Sequence, residues 1–362
     1  MSSNFGTNIK ISIFGESHGQ IIGAVIDGLP PGEEISIPQI QIQLSRRAPG
    51  CTPTSTTRKE KDEVEILTGF LNGKTTGAPL MLAIRNQDTR SANYENISVI
   101  PRPSHSDYAA YVKYKGNNDI RGGGHFSGRL TAPLVAAGSI CRQILKRRGI
   151  TIGGHVLQIL NVKDPPFDPV NVSEDELQYL SEAYFSTRSK QAKEGMIAEI
   201  LNAKQNLDSV GGVVEVAVTG LPTGVGSPMF GGIENVLSAA IFAVPAVKGV
   251  SFGAGFDYAK MYGSNANDEM YYDGDNVMTY TNNCGGITGG ITNGMPLIIK
   301  AAIKPTPSIY MPQRSINLQT HENTTLKITG RHDPCIVPRA LPAIEAAVAI
   351  ALTDLMAEAN ML

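Results

Sequence analysis

Tryptophan is absent from this 362-residue chain, and aromatic residues of all kinds make up only 6% of it. Charge is sparse as well, because charged residues account for 18% of the chain and sum to a net charge of −2. Proteins dedicated to nucleic acids normally carry a strong positive balance, so no nucleic-acid partner is expected. The 38 glycines and 22 prolines instead predict a globular chain with many ordered loops.

Cysteine is scarce too, since Cys51, Cys141, Cys284 and Cys335 stand far apart with no C-x-x-C spacing. This distribution predicts neither a disulfide framework nor a zinc site, and no metal is expected. The first ten residues lack the basic and apolar segments of a signal peptide, and the apolar runs fall short of the roughly 18 residues that span a bilayer. We therefore expect a cytoplasmic protein with no membrane partner.

Several common catalytic signatures are missing. The chain has no H-E-x-x-H, no G-x-S-x-G and no carboxylate cluster at metal-ligand spacing, which argues against metalloprotease, α/β-hydrolase and EF-hand chemistry. Residues 69–75 have three residues between the glycines where a P-loop needs four, and residues 224–229 lack the third glycine of a dinucleotide fingerprint. We interpret the first segment as a turn and the second as a loop.

Hydrophobic periodicity predicts strands and helices along most of the chain. Strands are predicted at 9–14, 23–28, 64–68, 79–84, 213–218 and 296–303, with 213–218 half-buried. Helices are predicted at 36–44, at 126–145 after a glycine run, and at 337–355 with an amphipathic stripe. A capping sequence at Ser173 predicts surface helices. The pattern favours one α/β (α+β) domain over 1–362 with a helical insertion around 173–206.

Three short polar motifs place a histidine or an arginine among small residues. GESHG sets His18 between Ser17 and Gly19, where a ligand can approach the imidazole, although a turn histidine bonded to a carbonyl would fit equally well. RPSHSDY offers the Arg102 guanidinium for an anion and the His105 imidazole for proton transfer. DIRGGGHFSGRLTA carries arginines at a predicted helix entrance, where free N–H groups and the helix dipole favour phosphate. The third motif therefore predicts an anion site.

Three further motifs lie in the C-terminal part of the chain. NNCGGITGGITNG supplies two glycine pairs ahead of a strand, and KPTPS combines the Lys304 ammonium with two hydroxyls on a segment stiffened by prolines. Both segments suit a flat or phosphorylated ligand. GRHDP brings Asp333 close to the start of the terminal helix, so that a helix-capping role and a proton-transfer role both stay open.

In this order, and over nearly the whole chain, the six motifs resemble those of the chorismate synthase family. The resemblance implies a lyase that catalyses anti-1,4-elimination of phosphate from 5-enolpyruvylshikimate 3-phosphate to give chorismate, on the route to the aromatic amino acids. It also implies a need for reduced FMN, with either NADPH or an outside reductant as electron source, a β-α-β sandwich fold and a homotetramer. The alternative is a non-catalytic flavin- or phosphate-binding module, which has no need of three proton-transfer groups.

The resemblance also assigns roles to residues of this chain. It implies that His18 protonates the reduced flavin, that His105 protonates the departing phosphate and that Asp333 transfers a proton at the flavin. The implied FMN site comprises His125, Phe126, Ser127, Pro245, Ala246, Gly289, Lys304, Pro305, Thr306, Pro307, Ser308 and Arg331. The implied cations for substrate or NADPH are Arg46, Arg47, Arg102, Arg121 and Arg129.

The chain departs from commoner family members within these segments. Ala48 stands where a third arginine is frequent, and Pro53 falls about where another anion-binding arginine is often found. Residues 125 and 126 replace a more usual Arg-Ser pair, and Pro245 replaces a polar residue. We expect the flavin contacts at these last positions to be made through the backbone.

Overall fold

A computed structural model of the chain describes residues 3–50, 60–87, 99–328 and 332–362. The first of two five-stranded antiparallel sheets is built from β1 (Asn4–Phe5), β2 (Lys10–Gly15), β3 (Ile21–Asp27), β4 (Val64–Thr68) and β7 (Leu80–Arg85). Its strand order is β1-β2-β3-β7-β4. The short hairpin of β5 (Phe70–Leu71) and β6 (Lys74–Thr75) occupies the P-loop-like segment, which is a turn as predicted.

The second sheet is antiparallel as well. Its strands are β8 (Thr151–Ile159), β9 (Val162–Lys163), β10 (Gly212–Thr219), β11 (Val247–Phe252) and β16 (Leu297–Ile303), in the order β11-β16-β10-β8-β9. Three hairpins complete the strands: β12 (Met270–Asp273) with β13 (Asn276–Thr279), β14 (Ile287–Thr288) with β15 (Ile291–Thr292), and β17 (Gln313–Asn317) with β18 (Glu322–Leu326).

The α-helices in the described residues are α1 (Ile37–Arg47), α2 (Asp107–Tyr114), α3 (Thr131–Arg147), α4 (Glu174–Leu180), α5 (Lys190–Gln205), α6 (Ile233–Phe242), α7 (Gly263–Ala266) and α8 (Val337–Glu358). Four of these helices, α1, α3, α6 and α8, pack together between the two sheets, and the others lie outside this layer. Helices α3 and α8 contact each other along their lengths, α3 also packs on β3 and β7, and α8 packs on β8 and β10. The resulting layer order of sheet, helices and sheet confirms the predicted α+β sandwich.

The central helix pair depends on one close approach. A Cβ atom on Gly138 of α3 would lie 2.3 Å from the Cβ of Ala346 on α8, well inside van der Waals contact. Glycine at this position therefore lets the two helix backbones approach closely. Because both helices carry residues of the main hydrophobic core, this contact joins the two halves of the fold.

The predicted surface helices form an outer layer on the second sheet. The Ser173 hydroxyl caps α4 by accepting from the Glu176 N–H, as the capping sequence predicts. Leu177 and Leu180 of α4 pack on Ala217 of β10, on the sheet face opposite the main core. Strand β10 is consequently covered on both faces, and the expectation that it would be half-buried is wrong because the helical layer shields its outer side.

Helix α8 is buried on nearly all sides rather than along one stripe. It is apolar and long enough to cross a membrane by composition, and 94% of its apolar window is buried inside the protein. The prediction of an amphipathic helix is therefore corrected to that of a core helix between two sheets. A second correction concerns α3, which begins at Thr131 and not at 126, because left-handed glycines and two short 3₁₀ turns precede it.

Candidate active site

The turn at residues 16–19 carries His18 at one edge of the first sheet. The Gly19 N–H closes the turn on the Glu16 carbonyl at 3.0 Å. The Ser17 N–H donates to the Gly124 carbonyl at 3.1 Å, which ties the turn to the triple-glycine loop. A side chain on Gly122 would begin 2.2 Å from His18 Nδ1, so the imidazole lies directly against glycine backbone. This position therefore requires glycine for space as well as for its φ of +61°.

The next glycine faces the second predicted catalytic histidine. A Cβ atom on Gly123 would lie 3.4 Å from both Nε2 and Cε1 of the His105 ring and 3.7 Å from the Ser127 Cβ. Two consecutive glycines thus bring His18, His105 and Ser127 around one short loop. Three motifs that are distant in sequence meet here.

A buried ion pair orients the His105 ring. His105 Nδ1 lies 2.5 Å from Asp107 Oδ1, and Asp107 also accepts from Arg102 Nε at 2.7 Å and Nη2 at 2.8 Å. Because a carboxylate accepts hydrogen bonds, we assign the ring proton to Nδ1, which leaves Nε2 on the Gly123 side. Arg102 reaches Ser308 Oγ with its remaining terminal nitrogen at 3.3 Å.

Charges around this pair act on both ionisable groups. Burial alone would raise the pKa of Asp107, but hydrogen bonds from Arg102 and His105 outweigh it and hold that pKa well below its usual range. Burial lowers the pKa of His105, the hydrogen bond to Asp107 opposes this shift, and the charges of Arg102 and Lys304 add to it. The His105 imidazole is therefore neutral at pH 7 in the protein without ligands.

The segment 304–308 closes the site from the second sheet. Lys304 Nζ donates to the Ser104 carbonyl at 2.5 Å. The backbone N–H of Lys304 donates to the Ala246 carbonyl at 3.0 Å. Burial and the neighbouring charge of Lys248 lower the pKa of Lys304. The Thr306 hydroxyl is buried and makes no hydrogen bond within the described parts of the chain. Two adjacent cations and an unsatisfied buried hydroxyl are features of an anion site.

A second group of cations surrounds a buried carboxylate. Asp62 binds Arg47 Nη1 at 2.7 Å through one oxygen and Arg129 Nη1 through the other. Burial, opposed by Asp62 and reinforced by the charges of Arg339 and Arg129, lowers the pKa of Arg47 to about 10. The Nη2 of Arg129 is buried, lies 3.8 Å from Glu60 and makes no hydrogen bond among the described residues. Arg129 therefore keeps a buried donor for a ligand.

Asp333 joins this second group through the terminal helix. Its carboxylate binds Nη1 of Arg339 in the first turn of α8, and Arg339 Nε donates to the Arg47 carbonyl at 2.9 Å. Helix α8 starts at Val337, and its N-cap Ile336 makes no side-chain capping bond. The N-cap position is therefore Ile336, Asp333 is an ion-pair partner of the helix, and its proton-transfer role stays a prediction.

The residues around 125–127 have separate surroundings. His125 Nδ1 donates to the Gly15 carbonyl at 2.8 Å, and its Nε2 accepts from the Ser3 hydroxyl at 2.7 Å. The Phe126 ring is partly exposed and lies 6.0 Å from the Tyr114 ring. Ser127 Oγ accepts from the Arg129 N–H at 3.2 Å, which caps the short 3₁₀ turn. The side chain of His125 is therefore engaged in holding the N-terminal strand.

Two predicted cations are committed elsewhere. Arg46 is 2% exposed, binds Glu345 of α8 at 2.5 Å and donates to the Ala183 carbonyl at 3.0 Å, so it belongs to the interior of the helix layer. Arg102 is neutralised by Asp107, as described above. Both guanidiniums are thus held by protein groups, and their binding of substrate stays a prediction.

The remaining predicted residues lie at the rim or beyond it. Arg121 is exposed and binds Asp119 with Nε at 2.9 Å and Nη2 at 2.7 Å. Pro245 precedes the positive-φ residue Ala246. Gly289 is at the turn of the β14–β15 hairpin, and no hydrogen bond joins it to segment 304–308 among the described residues. Arg331 and Pro53 lie outside the described residues.

Pro305 and Pro307 hold segment 304–308 against its neighbours. A Cβ on Gly211 would lie 3.0 Å from Pro305, and the Pro307 carbonyl accepts from Gln313 Nε2 at 3.3 Å. These contacts fix the backbone on either side of Thr306.

Sequence reasoning missed four residues that complete the site. Asp62, Asn86, Lys248 and Arg339 contact or electrostatically influence the predicted groups. Arg339 lies just beyond the GRHDP motif, six residues after Asp333. The others come from different loops and strands, so no sequence spacing could have joined them to the site.

Comparisons with known proteins all match the chain to chorismate synthases. A family model described as chorismate synthase matches residues 9–357. The chain is 45% identical over 349 residues to a chorismate synthase of Thermococcus kodakarensis, covering 96% of each chain. It is 44% identical over 364 residues to one of Dehalococcoides mccartyi, covering 100% of this chain and 98% of that one. A crystal structure of chorismate synthase aligns with a TM-score of 0.76 and 29% identity over 98% of this chain and 93% of that chain.

Proposed function

The chain belongs to the chorismate synthase family, and on that premise we propose that its active site lies around the triple-glycine loop. The activity is that of a carbon–oxygen lyase, the anti-1,4-elimination of phosphate from 5-enolpyruvylshikimate 3-phosphate to give chorismate. The observation that carries the location is the contact of Gly122 with His18 and of Gly123 with His105, because it brings two proton-transfer groups to one loop.

Reduced FMN is the cofactor we propose, as the family uses a reduced flavin. The unsatisfied Thr306 hydroxyl and the paired charges of Lys304 and Lys248 fit a phosphate-bearing group. The backbone at Ala246, which Lys304 holds, and Ser127 would contact it as well. When bound, the reduced flavin supplies an electron-rich ring beside the substrate, although the elimination has no net redox change.

We assign the protonation of the departing phosphate to His105. Its pKa is lowered in the protein without ligands, and the negative charge of a bound phosphate would favour the protonated form again. The Asp107 carboxylate holds Nδ1, so the opposite nitrogen, Nε2, faces the side where a ligand approaches. His105 would then take up a proton when substrate binds and give it to the phosphate as the carbon–oxygen bond breaks.

His18 and Asp333 are the other proposed proton-transfer groups, and both act on the flavin side. The Asp333 carboxylate is paired with the Arg339 guanidinium, which fixes it beside the first turn of α8. Substrate or NADPH anions would bind among Arg129, Arg47, Arg46, Arg102 and Arg121, and the buried Nη2 of Arg129, which makes no hydrogen bond among the described residues, supports this for Arg129. A pure binding module would need these cations but not the proton-transfer groups, so we do not favour it.

We also propose a homotetramer acting in the cytoplasm. Phe230 and Phe256 are 92% and 89% exposed, and we propose that a second subunit covers them. Cys141 and Cys335 are buried free thiols whose burial raises each pKa to about 12, consistent with a reducing compartment. We propose that residues 1–362 act as one unit, since α3 and α8 join the two sheets. Sedimentation of the purified chain measures the subunit number.

An anaerobic assay tests the reaction and its cofactor together. With 5-enolpyruvylshikimate 3-phosphate and chemically reduced FMN, we expect phosphate and chorismate to form in equal amounts. Chorismate is measured by its absorbance. Oxidised FMN is the matched control and should give neither product. Supplying NADPH in place of the chemical reductant tests whether the chain reduces FMN itself. Absence of phosphate release under all reducing conditions would contradict the proposal.

A further inference from the structure

We propose that Asn86 is a positioning residue that fixes the His18 turn to Arg129. Asn86 directly follows strand β7, and its N–H donates to the Gln20 carbonyl at 3.1 Å, which extends the pairing of β3 with β7 by one step. The inference rests on the proposed function, because the position of the His18 turn affects turnover only if His18 takes part in the reaction. Neither the motifs nor the family resemblance points to this asparagine.

One amide group makes three hydrogen bonds at this position. Asn86 Nδ2 donates to the Glu16 carbonyl at 3.1 Å and to the Gly19 carbonyl at 2.7 Å. Asn86 Oδ1 accepts from Arg129 Nε at 2.9 Å. The two carbonyls belong to the first and last residues of the turn that presents His18, so the amide clamps the turn at both ends.

The orientation of the amide follows from its partners. Backbone carbonyls only accept hydrogen bonds, and the guanidinium Nε–H only donates. Exchanging the oxygen and nitrogen of Asn86 would place the amide oxygen against two carbonyl oxygens. It would also place the NH₂ group against the Arg129 Nε–H donor. The side chain of asparagine satisfies all three partners in one orientation alone, and neither aspartate nor leucine could replace it.

The clamp links the two halves of the proposed site. Arg129 is itself fixed by Asp62, and the His18 ring lies against Gly122 with no room to move toward it. If the turn loses its clamp, we expect the His18 imidazole to leave its position while Arg129 stays in place. Displacement of a catalytic group by about one ångström can lower the rate about 100-fold.

Asn86→Asp is the sharpest test because it keeps the shape and the acceptor for Arg129 but loses both donors to the turn. We expect kcat to fall about 100-fold with a small change in KM for the substrate, since Arg129 retains its partner. Gln143→Glu is the matched control: Gln143 also bonds a backbone N–H and a backbone carbonyl, both of Ser36, in the helix layer. That variant should lose stability and keep turnover.

A double-mutant comparison separates positioning from general loosening. In the His18→Ala background, Asn86→Asp should cost less than about 3-fold further, because its effect passes through His18. Asn86→Ser, whose hydroxyl is too short to reach both carbonyls, serves if the aspartate variant does not fold. Its melting temperature compared with that of Gln143→Glu shows whether the fold persists.

The outcomes distinguish this inference from the proposed function. Wild-type turnover in both Asn86 variants, with a large loss in His18→Ala, overturns the clamp and leaves the function intact. An undiminished effect of Asn86→Asp in the His18→Ala background also overturns the clamp, since the effect then passes through Arg129. Full turnover in His18→Ala refutes the proposed role of His18, and a persisting loss in Asn86→Asp would then refute positioning as well.

Discussion

His105 and His155 both bond a carboxylate through Nδ1, at 2.5 Å to Asp107 and at 2.7 Å to Asp164, yet their pKa values move in opposite directions. His105 lies in the proposed active site, and its pKa is lowered. His155 lies on β8 in the second sheet, is fully buried, and its pKa is raised. Burial by itself lowers the pKa of both rings, so the neighbouring charges must account for the difference.

The second nitrogen of each ring has a different partner. His155 Nε2 lies 3.0 Å from Glu215, so carboxylates hold both ring nitrogens and both must carry protons. Lys300 reaches Glu215 at 3.7 Å, and Arg188 donates its N–H to Asp164 at 2.6 Å. The hydrogen bonds that the ring donates to Asp164 and Glu215 outweigh burial and raise the pKa of His155.

The carboxylate beside His105 is shared instead. Asp107 is bound in a bidentate manner by Arg102, and Lys304 adds a second positive charge near the ring. These positive charges add to burial in lowering the pKa of His105. Under the proposed function, the same residue type thus serves as a structural cation in the second sheet and as a proton-transfer group in the site, and the charges around each ring decide which.

The largest effect is expected from removing His105, the proposed catalytic histidine of the two. His105→Ala should lower kcat by about 10²–10⁴-fold, the usual loss when a general acid is removed. FMN binding and the melting temperature should change little, because the ring is partly exposed. His321→Ala, at an exposed hairpin turn, is the control and should keep full turnover. A His105→Ala enzyme of near wild-type rate would reduce this histidine to a structural role.

The next effect breaks the structural member. Glu215→Gln leaves the buried His155 with one carboxylate, and loss of one partner of a buried ion pair costs about 3–5 kcal/mol of unfolding free energy. Denaturant unfolding measures the loss, and Glu194→Gln on the exposed face of α5 is the control, expected to change it by less than about 0.5 kcal/mol. Equal stability of the two variants would mean that the imidazolium is not held by Glu215.

The pH dependence of stability sharpens the comparison. The pKa of His155 is raised above its ordinary value of 6.5 in the folded chain, so its stabilising contribution is complete below about pH 6.5. That contribution is lost as the pH rises through the raised native pKa. The melting temperature should therefore fall on the alkaline side, and less steeply in Glu215→Gln. Parallel profiles of the two proteins would argue against a charged His155.

The smallest effect makes His105 resemble His155. Arg102→Gln removes a positive charge and releases Asp107 to interact with the ring, so the pKa of His105 should rise. Arg102→Lys keeps the charge and should leave that pKa nearer to the wild-type value. NMR titration of the His105 ring, assigned with the His105→Ala variant, measures both. An unchanged pKa in Arg102→Gln would show that Asp107 alone governs the ring.

The sequence predicts secondary structure well where local signals are strong. Ser36 and Ser173 cap helices as expected, and the strand at 64–68 has the predicted bounds. Predictions of exposure fail at β10 and α8, because a sequence pattern does not reveal which layer will cover a face. The start of α3 was missed because the glycine loop takes left-handed conformations that periodicity does not register.

The proposed site divides in the same way. The motifs name His18, His105 and Asp333, since each stands among small polar residues that are unusual outside functional loops. The partners that set their protonation and orientation are Asp62, Asn86 and Arg339. Most of these partners come from elements that carry no motif.

The sequence by itself determined the family, six of the strands and the main helices, and it named the histidines and the lysine of the proposed site, because residue identity and local periodicity are written in the chain. The tertiary structure alone decided which charged groups pair with other protein groups. Arg46 forms an ion pair with Glu345, whereas Arg129 has a buried Nη2 that makes no hydrogen bond among the described residues. It also decided that His105 and His155 differ in charge. Ionisation depends on distances between groups far apart in sequence, and only folding sets those distances.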